Sequence, residues 1–154
     1  MGAGGALGYY ASFYSTQTQT IPSGGSTGTA VTMNNQFSAN GITNSNGRVT
    51  FQFGGTFLIQ GLLQLQASMN NIVFDYWFQQ NGATIPNSNY QYLFPSVPSS
   101  PTTEMVGVNA TIIQANPGDT LQFLTYATGG AVTLLATPSS VSYTHLTLTT
   151  IYSV

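Results

Sequence analysis

Few residues of this chain could do acid–base or nucleophilic chemistry. His145 is the only histidine, and Asp75, Glu104 and Asp119 are the only acids. A catalytic triad would need His145 between a carboxylate, such as Asp75 or Asp119, and a serine or threonine hydroxyl. The G-x-S-x-G elbow that presents such a serine at a strand-to-helix turn does not occur. His145 therefore reads as a strand histidine at a surface or an interface. Hydrolysis of a glycosidic bond needs two carboxyls flanking that bond. Asp119 is better explained as a turn residue that bonds its own backbone. Asp75 sits between aromatics, where a buried carboxylate requires partners. Arg48 is the sole strong cation and could pair with one of the acids. Calcium asks for several clustered oxygens, which scattered acids do not supply within one chain; a site shared between copies stays open. The expectation is no enzyme, no catalytic residue, no metal and no cofactor.

What the chain has instead is aromatic rings and neutral hydrogen bonders. Tyrosine and phenylalanine are abundant, and core packing accounts for most of them. A tyrosine hydroxyl buried in a seam would still need a hydrogen-bond partner. The segment 86–101, rich in Pro, Ser and Asn, reads as a long loop, and such loops often carry function. Its Tyr90, Tyr92 and Phe94 could stack on a sugar or on a protein ridge.

The elements that must position these residues are strands. Asn71 to Ile85 is the organising stretch. Side chains alternate along a strand, so Ile72, Phe74, Tyr76 and Phe78 share one face, and Val73, Asp75, Trp77 and Gln79 the other. Asn81-Gly82 then suits a type I′ hairpin turn. Both faces carry large side chains, so one packs into the core and the other needs a second cover, plausibly another copy. Around it, strands are expected at Tyr9–Thr16, Thr29–Met33, on both sides of Asn46-Gly47, and at Thr56–Ala67, with Gly61 marking a bulge or a close backbone approach. Thr103–Ala115 follows, then a turn at Asn116-Pro117-Gly118-Asp119, Thr120–Ala127, Ala131–Ala136 and Val141–Tyr152. Thr18–Thr29 reads as a polar loop. No helical period appears. Eight to ten strands with short turns imply an all-β sandwich or jelly roll.

Composition limits the partners. The length suits one domain, and a chain of this size buries roughly 68–70% of its unfolded surface, enough for a core without staples. Cysteine is absent and the net charge is −2. Charged residues make up 3% of the chain, against the roughly 25–35% favoured on soluble surfaces. A surface solvated by Asn, Gln, Ser and Thr can be buried in an assembly without desolvating ions. One arginine and no lysine exclude phosphate-backbone binding, and so nucleic acid. No run reaches the ~18 apolar residues of a membrane span. The N-terminus lacks a secretory n-region and h-region. The segment 1–8 (Met1, Gly2, Ala3, Gly4, Gly5, Ala6, Leu7, Gly8) reads as a flexible arm ahead of a domain at 9–154, or as a strap that docks on a neighbouring protein.

The ordered pieces YYASFYSTQTQT (9–20), ANGIT (39–43), GGTFLIQGLLQLQ (54–66), WFQQNGATIPNSN (77–89), NPGDTLQFL (116–124) and AVTLLATP (131–138) resemble the trimeric jelly roll of the tumour-necrosis-factor and complement globular-head superfamily. The resemblance is to a bacteriophage branch of it, found in virion proteins of tailed phages. It implies a jelly roll of antiparallel strands, a homotrimer and a non-enzymatic role. The virion role divides into a subunit that decorates or cements a capsid surface and a fibre head that adsorbs to a host glycan or protein. A chain that opens on a short Gly/Ala arm, with no shaft-like repeat, suits the first. The expected trimer seam holds Tyr10, Tyr76, Phe78, Tyr126, Tyr143 and Tyr152, and the arm is the expected docking element on the major capsid protein or another virion protein.

Overall fold

The structure, a computed structural model, describes residues 8–25, 27–67, 69–95, 102–136 and 144–152. Its strands in chain order are β1 (Tyr10–Ser15), β2 (Gln19–Ile21), β3 (Thr29–Ala30), β4 (Asn35–Asn40), β5 (Ile42–Ser45), β6 (Arg48–Phe51) and β7 (Gly55–Ala67). They continue with β8 (Ile72–Gln80), β9 (Ala83–Thr84), β10 (Tyr90–Phe94), β11 (Thr103–Ala115), β12 (Thr120–Thr128), β13 (Val132–Leu134) and β14 (Thr144–Tyr152). Two antiparallel sheets face each other as a sandwich. The first runs β2-β13-β7-β14-β1-β4, with β11 on the other edge of β7. The second runs β10-β8-β12-β6-β5, with β9 added to β8 and β3 to β12.

β7 is the spine of the first sheet. One edge pairs along its whole length with β11, from Gly55↔Ala115 to Ala67↔Thr103. Its other edge is divided between β14, over Thr56–Leu62, and β13, over Leu65–Ala67. Strict alternation along β7 puts Phe57, Ile59, Leu63 and Leu65 in the core and leaves Leu58, Gln60, Leu62 and Gln64 outside.

In β8, the Ile72, Phe74, Tyr76, Phe78 face is the core face, and the Val73, Asp75, Trp77, Gln79 face lies half-buried outside. The inward rings pack side by side along the inner face of the second sheet, on the paired strands β8 and β12. Phe78 and Phe123 lie 4.8 Å apart between centroids, Tyr76 and Phe123 5.5 Å, and Phe74 and Tyr76 5.9 Å. Gly61 makes the close approach expected of it: an added Cβ would lie 2.6 Å from Phe123 Cε1.

The expected turns are present. Asn46-Gly47 and Asn81-Gly82 take positive φ at both residues, as a type I′ hairpin requires. Gly118 takes φ 87° in the turn closed by Asp119 N–H on Asn116 O. Three segments differ from expectation. Asn35–Asn40, assigned to no strand in the sequence, is β4 on the edge of β1. Gln19–Ile21, inside the expected polar loop, is strand β2, because it finds an edge on β13. Tyr90–Phe94, also expected as loop, is β10 and pairs with β8 from Tyr90↔Tyr76 to Phe94↔Ile72. The last two are short edge strands whose pairing is decided by the neighbour rather than by their own pattern.

Tyr76 and Phe78 correct the expected trimer seam. Both are fully buried between the sheets of one chain, so they cannot reach a second copy. Phe94 is likewise core, not a ligand-loop residue. Tyr143 and residues 1–7 lie outside the described residues, and Tyr152 is placed by its backbone, opposite Thr56.

Gly61→Ala should cost about 1–3 kcal/mol by overpacking Phe123. A urea titration checks this through a lowered midpoint at unchanged slope.

Candidate binding surfaces

The dispersed acids and His145 form no reactive constellation. Among the described residues no three His, Asp or Glu side chains come together. Asp119 accepts from Asn116 N–H, Gln80 Nε2 and Asn81 Nδ2, each at 2.9 Å. These bonds, the backbone one first, hold its carboxyl below the usual range. It is a turn and hairpin clasp. Glu104 accepts from Gln66 Nε2 at 2.9 Å. Arg48 stands exposed at the start of β6. His145 lies on the outer face of β14, edge-on to Tyr14 at 6.0 Å, and burial holds its imidazole below the ordinary value.

Three built features remain. The first is the outer face of the β7 sheet. Register aligns Val108, Leu62, His145 and Tyr14 in one cross-strand row, and Ile112, Leu58, Thr149 and Tyr10 in another. Between them runs the polar row Ala110, Gln60, Thr147, Ser12. Val108 and Ile112 are 48% and 60% exposed. Beside Tyr10 the bulge between β1 and β4 turns Phe37 out to 84% exposure, bordering a hollow of about 430 Å³. Neither row contains an ionised carboxylate, lysine or arginine.

The second feature is a clasp between the sheets. The Tyr76 ring is core, so its hydroxyl must find a partner inside the protein. It donates to Tyr92 Oη at 3.1 Å. Tyr92 Oη in turn accepts from Val108 N–H and donates to Val108 O, both at 3.2 Å. The β10 edge of one sheet is thereby tied to the β11 edge of the other, and one unpaired stretch of edge backbone is closed. Burial, then the Tyr92 bond, pushes the Tyr76 phenol well above its ordinary value. Beside it, Asn109 reaches from β11 to donate to Ser88 O at 2.8 Å and Tyr76 O at 3.2 Å. Tyr92, expected to meet a ligand, is committed to this clasp.

The third feature is a hollow of about 290 Å³ on the outer face of the β8 sheet, lined by Asp75, Trp77, Thr84, Asn89 and Tyr126. Asp75 and Tyr126 are direct cross-strand partners. Thus Tyr10 and Tyr126, both expected at the trimer seam, stand on opposite outer faces of the sandwich. Asp75 Oδ1 accepts from Asn89 Nδ2 at 2.9 Å and Gln91 Nε2 at 3.1 Å. The rim of the Trp77 ring lies where a Cβ of Gly28 would be, 2.5 Å from Cη2. Trp77 Nε1 is buried with no partner, which costs about 1–3 kcal/mol relative to a satisfied group. The alternation in β8 brought Asp75 and Trp77 to one face; Tyr126 on β12 and Thr84 on β9 join them through strand pairing, and Asn89 from the connection ahead of β10.

The three features are surfaces for binding. The fold has a solved counterpart. A solved structure described as Eiger TNF from S. frugiperda superposes with a TM-score of 0.61, covering 95% of this chain and 94% of that one at 14% identity. The fold is a tumour-necrosis-factor-like jelly roll. At that identity the likeness is one of fold. No protein-family model and no curated protein matches the sequence. The jelly roll thus explains how the faces are built, while their use must come from the residues on them.

Tyr92→Phe should destabilise by about 1–3 kcal/mol, since it strands the buried Tyr76 hydroxyl and the Val108 amide. Tyr76→Phe should cost less. Adding it to Tyr92→Phe should recover part of the loss, as measured in a double-mutant cycle of unfolding free energies.

Proposed function

We propose that this chain is a non-enzymatic structural subunit that assembles as a homotrimer and decorates or cements a bacteriophage capsid. Its second partner is then the major capsid protein or another virion protein, and its place is the virion surface. The observation that carries self-association is the outer face of the β7 sheet, with its two apolar and aromatic rows and its exposed Val108 and Ile112. Large apolar side chains exposed side by side on one sheet face mark an interaction site. The chain's 3% charge leaves little to desolvate when it is covered. The number three and the virion setting rest on the sequence resemblance set out above.

An obligate interface buries more than about 2,000 Å², so the assembly should persist at micromolar concentration. Light scattering should return three times the 16.3 kDa chain mass. Leu62→Asp, which puts a carboxylate in the middle of the Val108–Tyr14 row, should return the single-chain mass with the fold retained. A single-chain mass for the parent protein contradicts the proposal.

His145 makes the assembly sensitive to acid. Its folded value is already lowered by burial from 6.5, and a copy closing over it removes more water. Desolvation favours the neutral form, so the contribution to stability is complete above the unfolded value. It is lost as pH falls through the lowered folded one. Trimer dissociation monitored by sedimentation should increase between about pH 7 and about pH 5, around the ordinary histidine value. His145→Gln should flatten that dependence.

A further inference from the structure

We infer that the hollow formed by Trp77, Tyr126, Asp75, Asn89 and Thr84 on the outer face of the β8 sheet is a binding site for a neutral saccharide. It lies on the opposite sheet from the proposed assembly face and is independent of it.

The parts are those a sugar ring requires. A pyranose presents an apolar C–H face and a rim of hydroxyls, and is held by an aromatic surface plus directed hydrogen bonds. Trp77 supplies the surface: its Nε1 is buried, so what the ring turns toward the hollow is carbon. Its far rim is set against Gly28, where an added Cβ would lie 2.5 Å away, so the ring is fixed before anything binds. Tyr126, paired directly with Asp75 across β12 and β8, adds a second ring with a hydroxyl tip. Asp75 is the strong acceptor. Both of its bonds, from Asn89 and Gln91, fall on Oδ1, so Oδ2 keeps its capacity for a sugar hydroxyl. Thr84 and Asn89 stand exposed on the rim with further neutral donors and acceptors.

The charge sets the class of ligand. Asp75 is the only ionised group lining the hollow. A sialylated, sulfated or phosphorylated glycan would bring its anion against that carboxylate with no cation to offset it, whereas a neutral hexose would give it a hydroxyl donor. A ligand cation would be attracted to Asp75, but the flanking amides already direct two N–H groups onto that carboxylate. The volume of about 290 Å³ holds one or two rings.

Trp77 is the only tryptophan in the chain, so intrinsic tryptophan emission reports on this hollow alone. The full chain is titrated with methyl glucoside, methyl galactoside, N-acetylglucosamine and short neutral oligomers of each, with sialyllactose and a heparin fragment as anionic comparators. At least one neutral sugar should change Trp77 emission saturably, in about the millimolar range typical of a few contacts. Asp75→Asn should weaken that binding about tenfold through loss of a charge-assisted hydrogen bond, and Tyr126→Ala should remove it. Thr84→Phe, at an exposed position outside the core, should fill the hollow and block binding, and carries the test if the other variants do not fold. The inference is overturned if no neutral sugar gives a saturable change. Unchanged affinity in folded Asp75→Asn and Thr84→Phe, or tighter binding of the anionic comparators, overturns it equally.

Discussion

The structure depends on the burial of one polar atom, the Tyr76 hydroxyl. Its ring completes the aromatic core with Phe74, Phe78 and Phe123. A phenol in that position must be hydrogen-bonded or it costs more than the ring contributes at the margin. The partner is Tyr92, which fixes where β10 must run. Tyr92 in turn meets the Val108 backbone, which fixes β11 relative to β10 and closes the open end of the sandwich. Asn109, one residue on, returns from β11 to the Tyr76 carbonyl. Core packing, edge protection and the spacing between the two sheets at this end are thus one linked arrangement.

With that end closed, the two outer faces are free to differ. On the β7 sheet, alternation in β7, β11, β14 and β1 lines up apolar and aromatic rows across strands. On the β8 sheet, the same alternation sets Asp75 and Trp77 beside Tyr126, and the approach of Gly28 pins the indole. The two apolar rows of the first face contain no ionised group and suit an apolar contact. The second is small, concave and mixed in character, which suits a small polar ligand. A sandwich with one core thereby carries two surfaces of different chemistry.

Much of this was legible in the chain. Period-two alternation grouped Ile72, Phe74, Tyr76 and Phe78 on one face of β8, and Asn-Gly pairs located the β5–β6 and β8–β9 hairpins, because both signals are local. Gly61 was legible as a bulge or a close approach; that it is the second, against Phe123, was not. β2 and β10 were not legible: they are short, and their strand character comes from the edge they join. Tyr76 and Phe78 were read as seam residues because an aromatic-rich strand does not say which of its faces is the inner one. Deciding that requires knowing that Phe123 packs against them. The hollow on the β8 sheet draws Thr84, Asn89 and Tyr126 from three separate elements, so no spacing within one segment could reveal it.

On the proposed reading, the outer face of the β7 sheet is covered by other copies of the chain. The chain contains no cysteine, so Ile112→Cys provides a single attachment point on that face for a nitroxide label. Pulsed dipolar spectroscopy of the labelled protein measures how many spins meet and at what distance. A closed threefold assembly predicts one narrow distance with a modulation depth that reports three coupled spins. Modulation no deeper than that of isolated spins, at concentrations where the protein is fully folded, would contradict a self-associating β7 face.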